Sequence, residues 1–258
     1  LNFGAYFANK YSANYYNGTP GNLNNVNYIM SNPTWYKEIQ GLLGMSQTDV
    51  VIVQQYPTSG YPTDMHYNVA FSGGLFLRVN FTRKSSVFLQ ANYAQLKAGD
   101  VIVLHVNPNY SFTYPDLRLE QVIGREGRVM IDLGYQQSFP TKSRINLFIQ
   151  GALTMCYTQM IESMFVVEGR EYSLVNIYGD QVYVPNTSMQ TNTIYQNAFG
   201  FGGFLAVGAG IPLTHAFGLE PGFFMHYYPS NLTGYPDFKP SFGINLRILL
   251  DFSPAEDE

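Results

Sequence analysis

Apolar and polar residues alternate in eight segments of this 258-residue chain, and this period of two constrains its fold more than any other feature. In 240-PSFGINLRILLDF-252, every second residue from Phe242 to Phe252 is apolar, and Asn245 and Arg247 fall on the opposite face. The other segments are 68-NVAFSGGLFLRVNF-81 and 144-RINLFIQGALTMCY-157 and, less regularly, 1–11, 87–95, 129–137, 197–211 and 216–228. Because successive side chains of a β-strand point to opposite faces, the pattern predicts eight amphipathic strands.

Short and long connections alternate between these segments. The short ones are 82–86, 138–143 and 212–215, and the long ones are about 13–65, 107–118, 168–195 and 229–239. Short turns at one end and long loops at the other are typical of outer-membrane barrels. We therefore predict an all-β fold, an eight-stranded antiparallel up-and-down transmembrane β-barrel with long extracellular loops, which forms a single domain over 1–252. The even strand number places both chain ends on the periplasmic side, where 253–258 would form an acidic tail.

The composition indicates which face of the strands looks outward. Charged residues make up only 12% of the chain, about half of the fraction in an average soluble domain. The face opposite the apolar one carries mainly Asn, Gln, Ser, Thr and Gly, whereas a solvated face would be rich in Lys and Glu. This favours apolar side chains against lipid and a polar lumen, and a soluble, lipocalin-like barrel with the faces reversed is the alternative. Aromatic girdles are expected from Phe81, Phe139, Phe217 and Phe252 on the turn side and from Tyr67, Tyr157 and Tyr227 on the loop side.

A few charged residues fall on the polar, inward face. They are Arg78, Asp132, Arg144, Glu220, Arg247 and Asp251. Charges enclosed in a narrow lumen are stable only when they are paired. We therefore expect them to form an ion-pair network, in which Glu220 and Arg247 lie on adjacent strands and meet Arg78 and Asp132. Such a network would fill the interior of an eight-stranded barrel and leave no aqueous channel.

Two of the long loops contain residues suited to contacts with other proteins. In the first loop, 32-NPTWYKEIQGLLG-44 predicts a short helix, because Asn32 can cap it, Pro33 suits its first position and Gly44 can end it. Its apolar stripe would cover either the barrel mouth or a partner protein. The third long loop is rich in Tyr, which buries much area at low entropic cost. The candidate docking residues are Trp35, Ile39, Leu42, Leu43, Tyr172, Tyr178 and Tyr183.

The sequence predicts neither a nucleic-acid interface nor a catalytic or metal centre. The net charge is −4, and no basic stripe is present to neutralise phosphates. The four histidines, His66, His105, His215 and His226, lack zinc-site spacing and are interpreted as isolated polar residues, three of them near the outer rim. His226 and Ser230 are four residues apart across a proline, which is the wrong spacing for direct pairing in a strand. We predict no cofactor and no enzymatic activity, and a small buried residue at Cys156.

The chain resembles the small outer-membrane β-barrels of Bacteroidota, the PorT-like and OmpX-like group. The resemblance depends on the eight alternating strands, the richness in Tyr, Phe, Gly and Asn, the short basic turns and the last strand 242-FGINLRILLDF-252, which ends in an aromatic residue. A terminal aromatic strand is similar to the signal that the barrel-assembly machinery reads. This sequence departs from that pattern by six residues after Phe252.

The resemblance implies a location in the outer membrane of a Gram-negative bacterium, surrounded by outer-membrane lipid and lipopolysaccharide. Members of this group are often accessory subunits of larger machines, including the type IX secretion and barrel-assembly systems. We therefore expect a non-enzymatic scaffold or interaction subunit that binds other outer-membrane or surface proteins through its extracellular loops. The alternatives are a small transporter or binder of an apolar ligand and, third, a lipid A-modifying enzyme.

Overall fold

The computed structural model describes residues 1–22, 24–44, 50–52, 60–82, 84–106, 116–141, 145–174, 197–214, 216–232 and 238–250. This part of the chain contains one antiparallel sheet of ten strands and four short helical segments. The strands are β1 (Asn2–Phe7), β2 (Val50–Ile52), β3 (Ala70–Asn80), β4 (Ser85–Val106), β5 (Asp116–Pro140), β6 (Asn146–Val167), β7 (Arg170–Ser173), β8 (Asn197–Pro212), β9 (Phe217–Pro229) and β10 (Phe238–Leu250). The helices are α1 (Lys10–Ala13), a 3₁₀ turn (Asn14–Tyr16), α2 (Asn27–Met30) and α3 (Pro33–Leu42).

Eight of these strands close a ring in the order β1, β10, β9, β8, β6, β5, β4 and β3, since β3 pairs again with β1. The first and last strands are neighbours, with Asn2 opposite Arg247. The two short strands lie outside the ring: β2 pairs with β4, and β7 folds back on β6. The predicted all-β architecture of eight antiparallel strands is thus confirmed, and β2 and β7 are additions within the predicted loops.

Three adjacent strands are much longer than the rest. β4, β5 and β6 contain 22, 25 and 22 residues, and β4 stays paired with β5 as far as Val106 and Asp116. They continue about ten residues beyond the segments predicted at 87–95, 129–137 and 144–157. In 101–106 both faces carry apolar residues, which conceals the alternation. The long strands form an extension of the sheet at the loop end of the ring.

The first long connection covers the inner face of this extension. Tyr16, Val26 and Ile29 from the connection are buried, and so are Ile102 and Val122 from β4 and β5. Gly124 on β5 lies so close to the Tyr16 ring that an added Cβ would overlap it. The connection therefore packs as part of the apolar core.

Helix α3 begins and ends as its sequence predicts. The Asn32 side chain accepts hydrogen bonds from the backbone N–H groups of Thr34 and Trp35, at 2.9 and 3.2 Å, and Pro33 occupies the first helical position. Gly44, just after the helix, has a φ of +75°, which glycine adopts without strain. The predicted helix is thus confirmed.

No helix in the described residues is both long enough and apolar enough to cross a membrane.

We expect Gly124→Ala to loosen the first connection, because the new methyl group would displace the Tyr16 ring. Overpacking of this kind costs about 1–3 kcal/mol. Gly99→Ala on the neighbouring strand is the matched control, since its Cβ would meet only a carbonyl oxygen at 3.7 Å. Amide hydrogen exchange should show faster exchange over 10–30 for Gly124→Ala only. Equal exchange in the two variants would contradict this packing.

Candidate functional site

A network of polar side chains lies in the interior of the ring, beside the buried aromatic rings of Phe76, Phe88, Phe204 and Phe224. This ring network consists of Arg78, Gln90, Asp132, Gln136, Gln150, Thr154, Glu220, His226 and Arg247. Arg247 is its centre: the guanidinium donates to Gln150 on β6 and to Gln90 on β4, each at 2.9 Å. The same group lies 4.2 Å from the centroid of the Phe76 ring. One side chain of the last strand thus connects to strands on the far side of the ring.

The ion pairs around Glu220 agree with the sequence prediction. Nη1 of Arg78 lies 2.5 Å from Oε1 of Glu220, and Nη1 of Arg247 lies 3.8 Å from Oε2. Glu220 and Arg247 are direct partners in the register of β9 and β10, and both are buried. The expected contact between these inward charges is confirmed.

Asp132 belongs to the network through a partner that the sequence analysis missed. Its carboxylate accepts from Gln90 at 2.7 Å and from Thr154 at 2.5 Å, and both of its oxygens lie 3.2 Å from Nε2 of His226. Asp132 reaches Arg247 only through Gln90. The predicted direct contact of Asp132 with an arginine is therefore replaced by its contact with His226. The other two predicted members, Arg144 and Asp251, lie outside the described residues.

The interpretation of His226 as an isolated residue was wrong. Its side chain is 2% exposed, and its ring packs against Phe204 and Phe224, with centroids 4.9 and 5.3 Å apart. The sequence contained the signal, because Tyr227 was assigned to the outward face and its neighbour must then point inward.

A second ion pair, nearer the loop end, was also missed. Nε of Arg128 donates to Oε1 of Glu126 at 2.7 Å, and both side chains are fully buried. Arg128 donates further to Ser12 at 3.0 Å, and the Tyr16 hydroxyl donates to Glu126 at 2.7 Å. Burial and the neighbouring Glu126 raise the pKa of Tyr16 well above its usual value, so it remains a neutral donor. The pair therefore fastens the first connection to β5.

Most of the candidate docking residues that the structure describes pack inside the protein. Ile39 and Leu43 are buried, and Trp35 is half-buried with its ring edge-on to buried Tyr172, at a centroid distance of 6.4 Å. Leu42 is 40% exposed. Tyr178 and Tyr183 lie outside the described residues. The sequence left open whether the apolar stripe of α3 covers the barrel or a partner protein, and the structure shows it packed against the protein itself. A partner that binds these loops stays a prediction.

Large apolar side chains cover the outside of the ring. This apolar belt includes Phe3, Phe71, Leu77, Leu89, Leu133, Leu153, Phe201, Leu205, Phe223 and Ile244. Tyr67, predicted to lie in the loop-side girdle, is instead buried, with the Arg128 guanidinium 5.4 Å from its ring centroid. Phe252, predicted for the turn-side girdle, lies outside the described residues.

A charged pair separates the belt from a second apolar area. Nη2 of Arg125 lies 3.1 Å from Oε2 of Glu162, on the outer face of β5 and β6. Beyond this pair Val101, Leu117 and Leu119 are again exposed. We call these three residues the outer patch.

The fold and site together define a class: a closed antiparallel ring of eight strands, with buried ion pairs and aromatic rings inside and apolar side chains outside. The chain matches no protein-family model and no curated protein. Among the described residues, no three His, Cys, Asp or Glu side chains are grouped so that they could hold a metal ion.

We expect Glu126→Ala to cost about 3–5 kcal/mol, because it leaves the Arg128 charge buried without a counter-ion. The double variant Glu126→Leu/Arg128→Met should recover much of that loss, since it removes both charges. Asp64→Asn, which breaks the exposed pair with Lys10, should leave stability unchanged. Urea unfolding in detergent micelles measures all three. A single variant no less stable than the double one would contradict the role of the pair.

Proposed function

We propose that this chain is a transmembrane β-barrel of a Gram-negative outer membrane and a non-enzymatic scaffold or interaction subunit of a larger outer-membrane complex. Its apolar belt would face lipid and lipopolysaccharide, and both chain ends would lie in the periplasm. Protein secretion and barrel assembly are the processes that the resemblance to the Bacteroidota barrels implies.

The observation that carries the membrane assignment is an inverted distribution of polarity. Leu153 is 77% exposed and Phe71 is 71% exposed, whereas Arg247 and Asp132 are buried. Soluble proteins mostly bury large apolar side chains and expose charged ones. Apolar residues cover the ring on every strand, which exceeds the isolated patches of soluble monomers. Hydrocarbon around the ring accounts for both halves of the pattern.

The filled interior favours a scaffold over a pore. Arg247 and Gln90 connect β10 to β4 across the ring, and His226 with Asp132 connects β9 to β5. At the loop end, the first connection is held by Arg128. Opening a path through the described interior would break buried charge-assisted hydrogen bonds, which are costly to leave unmade.

The outer patch supports an interaction role. It lies beyond the Arg125–Glu162 pair, on strands that extend past the belt, so lipid would not cover it in the proposed orientation. Val103 and Leu119 are direct cross-strand partners on this face. Exposed apolar area bounded by polar residues is typical of a contact site for another protein.

One feature favours the alternative, a binder of apolar ligands. A shallow groove on the outer wall is lined almost wholly by apolar residues, where small Ala209 and Pro221 lie among Leu147, Phe223 and Leu246. It lies within the apolar belt, so membrane lipid itself would be its first occupant.

Leu153→Arg tests the membrane assignment. A charge near the middle of a lipid-facing strand costs about 2–4 kcal/mol in a bilayer. Leu119→Arg is the control, because Leu119 is 66% exposed but lies beyond the belt. Unfolding in lipid vesicles should show the loss for Leu153→Arg only. Equal stability of the two variants, or a wild-type chain that stays monodisperse without amphiphile, would refute the assignment.

Co-purification from native outer membranes in mild detergent tests the scaffold role. The wild type should carry stoichiometric outer-membrane or surface proteins, and Leu117→Ser/Leu119→Ser should lose them, because the variant removes the apolar contact area. Gln121→Ser, on the same face of β5, should retain them. A monomeric barrel with bound lipid would favour the alternative, and activity on lipid A would overturn the non-enzymatic assignment.

A further inference from the structure

A space with polar and apolar walls opens at the turn end of the ring. One cavity of about 530 Å³ is lined by Arg78, Asn80, Gln136, Ser138, Asn146 and Glu220, among others. A second cavity of about 510 Å³ shares four of these residues, Arg78, Asn80, Asn146 and Glu220. Because they share these walls, we treat the two cavities as one space, the turn-side vestibule.

Arg78 lines the vestibule and has one unused edge. Its Nη1 atom is held by Glu220 at 2.5 Å and by Gln136 at 3.4 Å. Within the described part of the chain, its Nε and Nη2 atoms have no hydrogen-bond partner, and the side chain is 21% exposed. The guanidinium is therefore oriented from one side and free on the other. Nε and Nη2 form the fork that binds a carboxylate or phosphate with two parallel hydrogen bonds.

Arg78 is the most exposed charged side chain of the ring network. The carboxylates of Glu220 and Asp132 match the charges of Arg78 and Arg247 in number, but Glu220, Asp132 and Arg247 are at most 5% exposed, against 21% for Arg78. Asp132 is engaged by His226, Thr154 and Gln90. An anion entering the vestibule would therefore meet the Arg78 guanidinium as the most exposed charge of the network.

Neutral donors lie around the same space. The Ser138 hydroxyl accepts a hydrogen bond from Gln136 at 3.2 Å, so its own hydrogen can be donated elsewhere. The amides of Asn80 and Asn146 also line the vestibule. Lys84 is at the rim, where its carbonyl accepts from the backbone N–H of Ser138 at 2.7 Å.

We propose that the turn-side vestibule binds a small oxyanion, a phosphate or carboxylate group, on the free Nε–Nη2 edge of Arg78. Ser138 and Asn146 donate to its remaining oxygens. The ligand enters from the turn end, which is the periplasmic side in the proposed orientation. The site depends on the geometry of the ring alone, so its test is separate from those of the membrane and scaffold assignments.

The test is a titration of the full chain in detergent micelles with inorganic phosphate and with acetate, at constant ionic strength. The readout is the ¹⁵N NMR signal of the arginine Nε–H groups. The Arg78 signal, identified by its loss in Arg78→Lys, should shift in a saturable way with at least one of the two anions. A second titration uses glycerol 3-phosphate in place of phosphate. Tighter binding of glycerol 3-phosphate than of inorganic phosphate would indicate a lipid headgroup as the ligand, and the reverse would indicate the free anion.

Two kinds of variant separate the site from simple charge attraction. Arg78→Lys keeps the charge and loses the fork, so calorimetry should show an affinity about tenfold weaker than that of the wild type. Arg118→Lys, at an exposed arginine of the loop end paired with Asp116, is the control and should bind as the wild type does. Ser138→Ala leaves the Arg78–Glu220 pair intact and should weaken binding about two- to tenfold. Absence of a saturable shift in the wild type, or equal affinity of wild type and Arg78→Lys, would overturn the proposal.

Discussion

The enclosed charge of Arg247 is the constraint on which the rest of the structure depends. A guanidinium removed from water is stable only with a counter-ion and with acceptors for its N–H groups. Glu220 supplies the counter-ion, and Gln90 and Gln150 supply acceptors from the opposite wall. These partners come from β9, β4 and β6, so the arginine is satisfied only when the sheet has curved into a closed ring.

Polarity inside the ring and apolarity outside are two results of the same alternation. Each strand places one residue in two toward the network and the other toward the surroundings. Above the belt this rule changes: β4 and β5 continue with apolar residues on both faces, and the first connection covers only the inner one. The extension therefore has its own core and its own exposed face, which separates the part that would contact lipid from the part that would contact protein.

The sequence predicted the ring well where apolar side chains take every second position of a strand, because such a strict period of two is hard to produce otherwise. The contact between Glu220 and Arg247 was predictable for the same reason. Both residues fall on the inward face of the alternation, and their strands are consecutive. The Glu126–Arg128 pair was missed because the alternation was followed only from residue 129. The partner of Asp132 could not be predicted from neighbouring strands, since His226 lies on β9, three positions around the ring from β5.

Closure of the ring by β1 and β10 has a consequence for folding. β1 has six residues and lies between β3 and β10, and the backbone N–H of Ile248 donates to the carbonyl of Leu1 at 2.9 Å. Before β10 is in place the sheet has two unpaired edges, and Glu220 has Arg78 beside it but lacks its partner on β10, Arg247. Such long-range pairing is slow and leaves early intermediates open to aggregation. Closure of the ring and enclosure of the Arg247 charge among its acceptors are thus one event, which distinguishes a closed ring from an incomplete one.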